Sequence, residues 1–555
     1  MKKLGKALLC AALPLGSVMG GALFHSCTDT WDDHYRTETL GDGTLWQAMA
    51  NDSELSNFLS VLEACDYEAS LGGSQVFTIF APVNSSFTET MRDSVIALYK
   101  ADKAAGVKET RNRAVKEFVM NHVALYNYSV SSLTNDSIVM MNGKYVLLTE
   151  SAFESGSLLD KNIVTTNGVL FKVSSLATYQ PNIYEYLGRD ADLDSLRNYI
   201  YSYSLDVFDP TKSVPGEIKN GKIEYLDSVT TFKNALLSSM MDADLNDEDS
   251  IYWMLAPTNG VWDALLSEYQ TYYQYDDKVA TRDSLMFNFP RRAIVEGTTF
   301  SVIANSKYNV TDSILSTLAY PYEWRKYAWG SSDLKYYQFD RPFDEGGIFE
   351  NTTDFQCSNG VVKKTDKWNV DKTNTFMTAI VMEGASNKTF DSVYSVNTRD
   401  PKYGYVSSDN EYYNKVYNNS YVEVAPTSTS NFQILFDVRD VLSNIPYDIY
   451  IVALPLTVQD PLAQTLPTDF RVTVKYHDTT GKEVNFPATS AFTPDHTRID
   501  TVHIGTFTFP TCSYSLSEPQ VKLLVEGRTS ATKVRQGTAT KTLLMDCIIF
   551  KPKVD

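Results

Sequence analysis

Histidine is scarce in this chain and cysteine pairs are absent, and both features limit the chemistry that it can support. Only six of the 555 residues are histidine and six are cysteine. No two cysteines form a CxxC pair, so zinc and thiol-redox sites of that kind are not expected. The HExxH, GxSxG, GxxxxGKS/T and GxGxxG patterns are also missing, which removes common signatures of peptidases, hydrolases and nucleotide-binding proteins. We therefore expect no enzyme activity, no metal and no cofactor.

Positive charge is in short supply as well. The chain has 49 Lys and Arg against 68 Asp and Glu, a net charge of −19. The first 26 residues hold three lysines and no acid, so their removal takes the charge to −22. This excess disfavours nucleic acid, which requires clustered basic residues, and adsorption to anionic lipid. Apolar residues make up 43% and aromatic residues 12%, which predicts packed cores rather than disorder.

A long apolar run occurs only at the start of the chain. Three lysines within the first six residues precede a mostly apolar stretch that ends at Phe24. This order is typical of a secretory signal peptide. A transmembrane helix needs about 20 uninterrupted apolar residues, and Pro14 with several glycines breaks this run. We predict that residues 1–26 are a signal peptide.

The residues that follow predict a lipid anchor. Leu23-Phe24-His25-Ser26-Cys27 resembles the lipobox of bacterial lipoproteins, which implies acylation of Cys27. Several acyl chains anchor a protein firmly, at about 0.8 kcal/mol per buried methylene. Simple cleavage and secretion is the alternative. Acidic residues after the cysteine, namely Asp29, Asp32 and Asp33, resemble the surface-export signal of Bacteroidota lipoproteins; an ordinary solvated tether is the alternative. Residues 27–40 are thus predicted as a lipidated acidic tether in the outer membrane, facing the cell exterior.

Helical and strand patterns alternate over residues 41–181. An amphipathic helix is predicted at 44–64, and Asn142-Gly143 and Asn167-Gly168 each mark a hairpin turn. TIFAPVNSSF (78–87) resembles the first signature box of fasciclin domains, and NGVLFKV (167–173) is similar to the second. His122 takes the place of the family's central histidine. The resemblance implies a fasciclin-like domain over 41–181, with structural motif residues at Pro82, Asn84, His122, Asn167 and Gly168. We expect a buried, hydrogen-bonded His122 rather than a ligand.

The same pattern recurs over residues 182–368, and internal repeats of this kind mark repeated domains. Trp253 to Asn259 repeats the first box, and Ser358 to Lys364 repeats the second. The preceding helix is predicted to contain Phe232, Leu236 and Leu237. We predict a second, divergent fasciclin-like domain whose motif residues are Pro257, Asn259, Asn359 and Gly360. It lacks the central histidine and has an aromatic insertion near 300–350.

Residues 369–555 change from helical to alternating patterns. Alternation occurs at 432–438, 447–452, 470–476, 502–509, 521–525 and 543–550. Short strands at close spacing favour a β-sandwich, and their order resembles the jelly-roll modules of Bacteroidota surface lipoproteins. The predicted fold class is multidomain α+β, with two fasciclin-like domains followed by an all-β jelly-roll or sandwich domain.

Aromatic clusters are the candidates for ligand or partner contact, because exposed Tyr and Trp can stack on sugars or anchor an interface. The candidates are Trp324, Tyr327, Trp329, Tyr336, Tyr337, Tyr412 and Tyr413. Core packing is the alternative for them. Asp190, Asp192 and Asp194 begin like a calcium loop, but Ser195 and Tyr201 stand where the loop requires Gly and Glu. Four cysteines, Cys65, Cys357, Cys512 and Cys547, remain after Cys27, and buried thiols are expected over disulfides.

The resemblance implies extracellular recognition. Lipoproteins of this build accompany SusC/SusD-like nutrient importers, which predicts an accessory binding or scaffolding subunit of such a TonB-dependent complex. Its partners would be the SusC/SusD-like transporter and lipoprotein subunits and a glycan or peptide ligand. A cell-surface adhesin for host or neighbouring-cell ligands and a surface glycan-active enzyme are the alternatives.

Overall fold

The computed structural model describes residues 39–40, 43–128, 136–211, 214–219, 222–227, 230–241, 243–302, 314–316, 338–384, 401–427 and 429–554. The chain divides into two compact units, Met1–Tyr179 (unit 1) and Gln180–Asp555 (unit 2). Within the described ranges, none of the helices combines the length and the apolar character that a membrane span requires. The predicted signal peptide and most of the tether lie outside the described residues.

Unit 1 is a mixed sheet with helices against one face. Its strands are β1 (Thr39–Leu40), β2 (Phe77–Pro82), β3 (Val123–Ala124), β4 (Asp136–Val139), β5 (Tyr145–Leu148), β6 (Ala152–Phe153), β7 (Gly156–Thr165) and β8 (Gly168–Val173). Its helices are α1 (Leu45–Ala50), α2 (Ser56–Ala64), α3 (Glu68–Leu71), α4 (Glu89–Ala104) and α5 (Met120–His122), the last preceded by a π-helical turn, Ala114–Val119. The sheet order is β3-β2-β8-β7-β6-β5-β4, and β1 pairs with β7.

The central strands of unit 1 are buried on both faces. In β2, Ile79 packs with the helices and the next residue, Phe80, packs with Phe153 and Phe171 on the opposite face. A strand buried on both faces has no polar alternation, which explains the apolar sequence of 77–82. Both predicted hairpins, β4–β5 and β7–β8, are confirmed. The single helix predicted at 44–64 is wrong, because Asp52 caps a new turn by accepting the Glu54 N–H at 2.9 Å.

Unit 2 begins with a smaller version of the same arrangement. Its strands up to residue 365 are β9 (Ser204–Phe208), β10 (Val214–Lys219), β11 (Lys222–Asp227), β12 (Thr230–Asn234), β13 (Tyr252–Pro257), β14 (Thr299–Ser301), β15 (Ile314–Ser316), β16 (Gln338–Asp340), β17 (Thr353–Cys357) and β18 (Gly360–Thr365). Its helices are α6 (Ile183–Leu187), α7 (Asp194–Tyr201), α8 (Asn259–Tyr269) and α9 (Arg282–Val295). Strands β13 and β18 pair in parallel, as β2 and β8 do in unit 1.

A β-ribbon distinguishes this region from unit 1. Strands β9 and β12 pair with each other, and β10 pairs with β11 between them. Phe232 lies in β12, so the prediction that it belongs to a helix is wrong; the helical turn is Leu236–Met241. Phe232 stacks edge-on with Tyr184 at 5.3 Å, and this tertiary contact overrides the local helical pattern.

The last part of unit 2 is a β-sandwich. Its strands are β19 (Ile380–Glu383), β20 (Lys402–Tyr405), β21 (Ser420–Val424), β22 (Gln433–Val438), β23 (Pro446–Leu454), β24 (Phe470–His477), β25 (Glu483–Asn485), β26 (Asp500–Thr508), β27 (Val521–Gly527) and β28 (Leu543–Pro552), with one helix, α10 (Ala531–Arg535). One sheet has the order β20-β21-β28-β23-β26 with β19 beside β28, and the other has the order β22-β27-β24-β25. All of these pairs are antiparallel. The predicted strands and the two-sheet arrangement are confirmed, whereas jelly-roll connectivity stays a prediction.

The largest hydrophobic core of unit 2 spans both of its parts. It joins helix residues such as Leu196 and Ile294 to sandwich residues such as Phe436, Ile449 and Phe550. The predicted domain division at residue 368 therefore falls inside one compact unit, and the three-domain division stays a prediction.

Candidate binding surfaces

The motif asparagines of the two copies make the same hydrogen bonds. Asn167 accepts the Leu45 N–H at 2.7 Å and donates to the Leu71 and Gly73 carbonyls at 2.8 and 2.9 Å. Asn359 likewise accepts the Ile183 N–H at 2.8 Å and donates to two carbonyls, those of Leu245 and Asp247, at 2.9 and 2.8 Å. Both side chains are buried. A buried asparagine with all of these bonds made holds loops together and is not available to a ligand.

The first-box asparagines also agree. Asn84 accepts the Asn57 N–H at 3.0 Å and donates to the Ser53 carbonyl at 2.9 Å. Asn259 accepts the Ser195 N–H at 2.9 Å and donates to the Ala191 carbonyl at 2.8 Å. The prolines before them, Pro82 and Pro257, end the two parallel strands. These motif residues form a repeated frame that positions a helix start against a strand end.

His122 is fully buried, and both of its ring nitrogens are engaged. Nδ1 donates to the Phe118 carbonyl at 2.8 Å, and Nε2 accepts the Ala177 N–H at 3.0 Å. The ring also packs against Phe118 and Phe58, with centroids 4.9 and 5.8 Å away. Burial lowers the pKa of His122 to about 4 despite the bond to the Phe118 carbonyl. The ring thus ties the end of α5 to the segment that follows β8.

The neutral state of His122 predicts an acid-sensitive unit 1. An imidazole with a pKa of about 4 when folded and 6.5 when unfolded contributes stability that is complete above pH 6.5. The contribution is lost as the pH falls toward 4, and it amounts to about 3 kcal/mol. We expect His122→Phe to be less stable than the wild type at pH 7, with the difference shrinking by this amount at pH 4. Hydrogen exchange of peptides from 53–178 at pH 7 and pH 4 measures this difference in stability. A pH-independent difference would contradict the assignment.

A lysine in each copy, buried in unit 1 and partly buried in unit 2, neutralises the nearby acids. Lys172, whose side chain is 10% exposed, contacts Asp52, Glu54 and Asp160 at 3.0, 2.6 and 2.9 Å. Burial alone would lower the pKa of Lys172, but the hydrogen bonds that its ammonium donates to the three carboxylates raise it above its ordinary value.

The corresponding lysine in unit 2, Lys364, contacts Asp190 and Asp192 at 2.8 and 3.1 Å. Asp194 pairs with Arg197 at 2.6 Å. The three acids that begin like a calcium loop are thus satisfied by basic side chains. The described part of the chain contains no group of three or more His, Cys, Asp and Glu side chains that could hold a metal ion.

Removal of the Lys172 ammonium leaves three carboxylates close together. We expect Lys172→Met to destabilise unit 1 by about 2 kcal/mol at pH 7, a value reduced from that of a fully buried pair because the acids are partly exposed. The deficit should shrink below about pH 4, where the carboxylates become protonated. Chemical denaturation at both pH values measures it. The exposed Lys103, which pairs with Asp66 at 3.3 Å, is the control, and Lys103→Met should have little effect. Equal losses of stability for the two variants would contradict this role of Lys172.

Most of the predicted functional residues lie outside the described residues. These are Cys27, Asp29, Asp32, Asp33, Trp324, Tyr327, Trp329, Tyr336 and Tyr337. The two that are described differ in environment. Tyr412 is partly buried against an apolar cluster that includes Val416 and Leu454, and its hydroxyl accepts a hydrogen bond from Thr457 at 3.3 Å, whereas Tyr413 is 40% exposed.

The four cysteines predicted as thiols are all buried as thiols. Burial raises the pKa of the Cys65, Cys512 and Cys547 thiols to about 12. Since the thiolate is the reactive form, these side chains serve as small core residues.

The outer face of the β19-β28-β23-β26 sheet carries a row of four side chains, one per strand. Val381 pairs with Ile549, Ile549 with Tyr450, and Tyr450 with His503. Neighbours along these strands, such as Ile449 and Phe550, are buried in the core. Because successive side chains of a strand point to opposite faces, the row faces outward. Its members are partly or largely exposed: Val381 is 39% exposed, and the His503 side chain is 50% exposed.

Polar groups at one end of the row are held in place by their neighbours. Asp448 Oδ1 accepts a hydrogen bond from Thr506 Oγ1 and lies 3.3 Å from His503 Nε2. The hydrogen bond from Thr506 and the neighbouring His503 hold the pKa of Asp448 below its usual range. The His503 ring lies 5.1 Å from the Tyr450 ring. Sequence reasoning missed this cluster because its members come from two distant strands. The alternation of Asp448 and Tyr450 with buried residues was its only local signal.

Comparison with known proteins bears on the first repeat. Residues 53–178 match the family model of the fasciclin domain. A search of curated proteins found no match to this chain.

Among solved structures, a FAS1 domain pair from the insect cell adhesion molecule fasciclin I aligns at 12% identity over 58% of this chain and 98% of that chain, with a TM-score of 0.19. A xylan-binding domain from Paenibacillus barcinonensis aligns at 12% identity over 32% and 95%, with a TM-score of 0.19. Xylanase modules from Clostridium thermocellum align at 10% identity over 28% of this chain and only 26% of that chain, with a TM-score of 0.19. TM-scores this low do not establish a shared fold. The match to the fasciclin domain thus covers residues 53–178 of this chain.

Proposed function

We propose that this chain is a non-enzymatic lipoprotein of the outer-membrane surface, and that it serves as an accessory binding or scaffolding subunit of a SusC/SusD-like import complex. The observation that supports this proposal is the position of the fasciclin domain, residues 53–178, soon after a signal-peptide pattern and a lipobox-like Cys27. A domain of this kind behind an acyl anchor is a module displayed for contact with other molecules.

Charge and anchoring support the proposal together. Several acyl chains hold a protein at a membrane without a spanning helix. The mature charge of −22 disfavours adsorption of the body to anionic headgroups. The folded units would then stand away from the lipid, where their surfaces are accessible to transporter subunits and to a glycan or peptide.

Anchoring and surface exposure are tested in the native host. Intact mass of the mature protein should show acyl chains on Cys27, and protease treatment of whole cells should remove the protein from the surface. Cys27→Ala should abolish both the acyl mass and the membrane association. Replacement of Asp29, Asp32 and Asp33 by Ala should keep the lipid but protect the protein from external protease. An unlipidated wild-type protein, or one untouched by protease, would exclude the proposal.

The partner is tested by purification from native outer membrane in mild detergent, followed by identification of the proteins that accompany the chain. We expect SusC/SusD-like subunits. Recovery of this chain alone, together with binding of the purified protein to host or neighbouring cells, would instead establish the adhesin function that the fasciclin domain also favours.

A further inference from the structure

The outward row of the six-stranded sheet combines two kinds of chemistry. Val381, Ile549 and the Tyr450 ring present apolar surface, and Asp448 and His503 present polar groups beside it. A pyranose has the same duality, with apolar C–H faces and a hydroxyl rim, and aromatic rings with fixed polar neighbours suit it. A wholly apolar face would suit a hydrophobic protein partner instead.

The spacing of the row fits a linear polymer. Neighbouring strands of a sheet lie about 4.8 Å apart, which is close to the length that one pyranose adds to an extended chain. Four side chains in a row therefore match about three successive sugar units that lie across the strands. Because the row runs across an exposed sheet face and not into a closed pocket, it could contact the interior of a polymer as well as its ends.

Asp448 retains an acceptor for a ligand hydroxyl. Both of its described contacts, from Thr506 and His503, go to Oδ1. A carboxylate offers acceptor sites on both oxygens, and no described residue donates a hydrogen bond to Oδ2. The contacts to Oδ1 fix the orientation of the group before any ligand arrives, which lowers the entropic cost of binding.

The charges around the row select against anionic polymers. Asp448 and Glu383, two positions after Val381, are acidic, and Lys551 faces Asp448 across the strand pair. At the Glu383 end stands Tyr417, which is 46% exposed; burial and then the charge of Glu383 raise its pKa. The face has no excess of positive charge, and the mature chain carries −22. Like-charge repulsion would weaken binding of uronate or sulfated chains.

We infer that the outer face of the six-stranded sheet binds a neutral polysaccharide across its strands, with Tyr450 as the stacking platform and Asp448 as the orienting acceptor. This inference rests on the proposed function, because it names the class of ligand that the surface protein would capture. It places the contact in the β-sandwich rather than in the aromatic insertion.

The test uses the full-length mature protein in affinity gels that contain neutral polymers (mannan, mixed-linkage β-glucan, xylan, arabinogalactan and dextran) or the anionic polymers polygalacturonate and heparin. We expect retardation by at least one neutral polymer and by neither anionic one. Tyr450→Ala should weaken the affinity by roughly tenfold or more, the loss typical of a truncated aromatic anchor. Tyr450→Phe should keep most of it. Asp448→Asn should weaken it less than Tyr450→Ala does.

Tyr405→Ala is the matched control, because Tyr405 is 79% exposed on the edge strand β20 and is not part of the row. It should bind as the wild type does. Thermal melting of each variant checks that the fold is intact; if Tyr450→Ala unfolds, Asp448→Asn and His503→Gln decide. Wild-type affinity in folded row variants, or no retardation by any neutral polymer, overturns the inference. So does binding confined to anionic polymers or to a protein partner. Lipidation and co-purification are measured separately, so failure here leaves the proposed function standing.

Discussion

Gly168→Ala should strongly destabilise the native fold of unit 1. Gly168 opens β8 with a φ of +150°, and a Cβ there would lie 1.9 Å from the Phe77 carbonyl oxygen and 2.8 Å from Leu45 Cδ1. The carbonyl belongs to backbone in the parallel pair β2–β8, so it cannot rotate away as a side chain could. We expect a loss of about 4 kcal/mol or more in the free energy of unfolding, which is exceptional for one methyl group. Thermal or chemical denaturation measures it.

Gly106→Ala separates the clash from the backbone strain. Gly106 also has a positive φ, +75°, but a Cβ there meets nothing within 4 Å. This variant should lose only about 1–2 kcal/mol, the cost of the left-handed conformation itself. Gly360→Ala tests the second copy, since its Cβ would lie 1.8 Å from the Tyr252 carbonyl oxygen. Similar losses for Gly168→Ala and Gly106→Ala would show that the close approach of the two strands is not what requires glycine.

The second prediction concerns unfolding of unit 2. The segment after α8 contacts loops of the β-sandwich, and we call this contact region the seam. Gln274 donates from its backbone to Ser443 Oγ at 2.9 Å, and the Tyr275 hydroxyl donates to the Tyr514 carbonyl at 2.9 Å. Farther along, Lys278 Nζ donates to the Gly481 carbonyl at 2.8 Å. Bonds of this kind, of which the Tyr275 bond is buried and the other two are partly buried, are costly to leave unmade, so the two parts should unfold together.

Truncation of Tyr514 tests this coupling. Its ring is buried, with the rings of Tyr273 and Phe289 edge-on at 5.6 and 5.0 Å. Tyr514→Ala should destabilise unit 2 by about 3–5 kcal/mol, as for other large-to-small changes in a core. Hydrogen exchange should accelerate in peptides from both 252–295 and 432–525.

Tyr514→Phe, which keeps the ring, is the matched control and should lose much less stability. Acceleration confined to the sandwich peptides would show that the two parts fold independently, despite their common core.

Local motifs allowed much of the fold to be predicted. Asn-Gly turns and alternating runs located the hairpins of unit 1 and the sandwich strands, because side-chain period and turn conformation are local properties. The repeated boxes located β2, β8, β13 and β18 for the same reason. The inserted ribbon β9–β12 was missed, since Phe232 is held in a strand by Tyr184, far away in the sequence.

The candidate site was less predictable. The family resemblance predicted a structural role for the motif residues around Asn167 and His122, and both side chains are buried and hydrogen-bonded. The row formed by Val381, Ile549, Tyr450 and His503 comes from four strands spread over more than 160 residues, and single-strand patterns carry no information on which strands become neighbours.

What the amino-acid sequence determined by itself is therefore local: the hairpin turns of unit 1, the two copies of the motif frame, and the strands of the last region. Export and lipidation at Cys27 stay predictions. Tertiary structure alone decided which side chains share a surface and which segments share a core. The physical reason is that strand pairs such as β13 with β18, and hydrogen bonds such as that between Tyr275 and Tyr514, join residues that are distant in the chain. No short segment of the sequence contains both partners of such a contact.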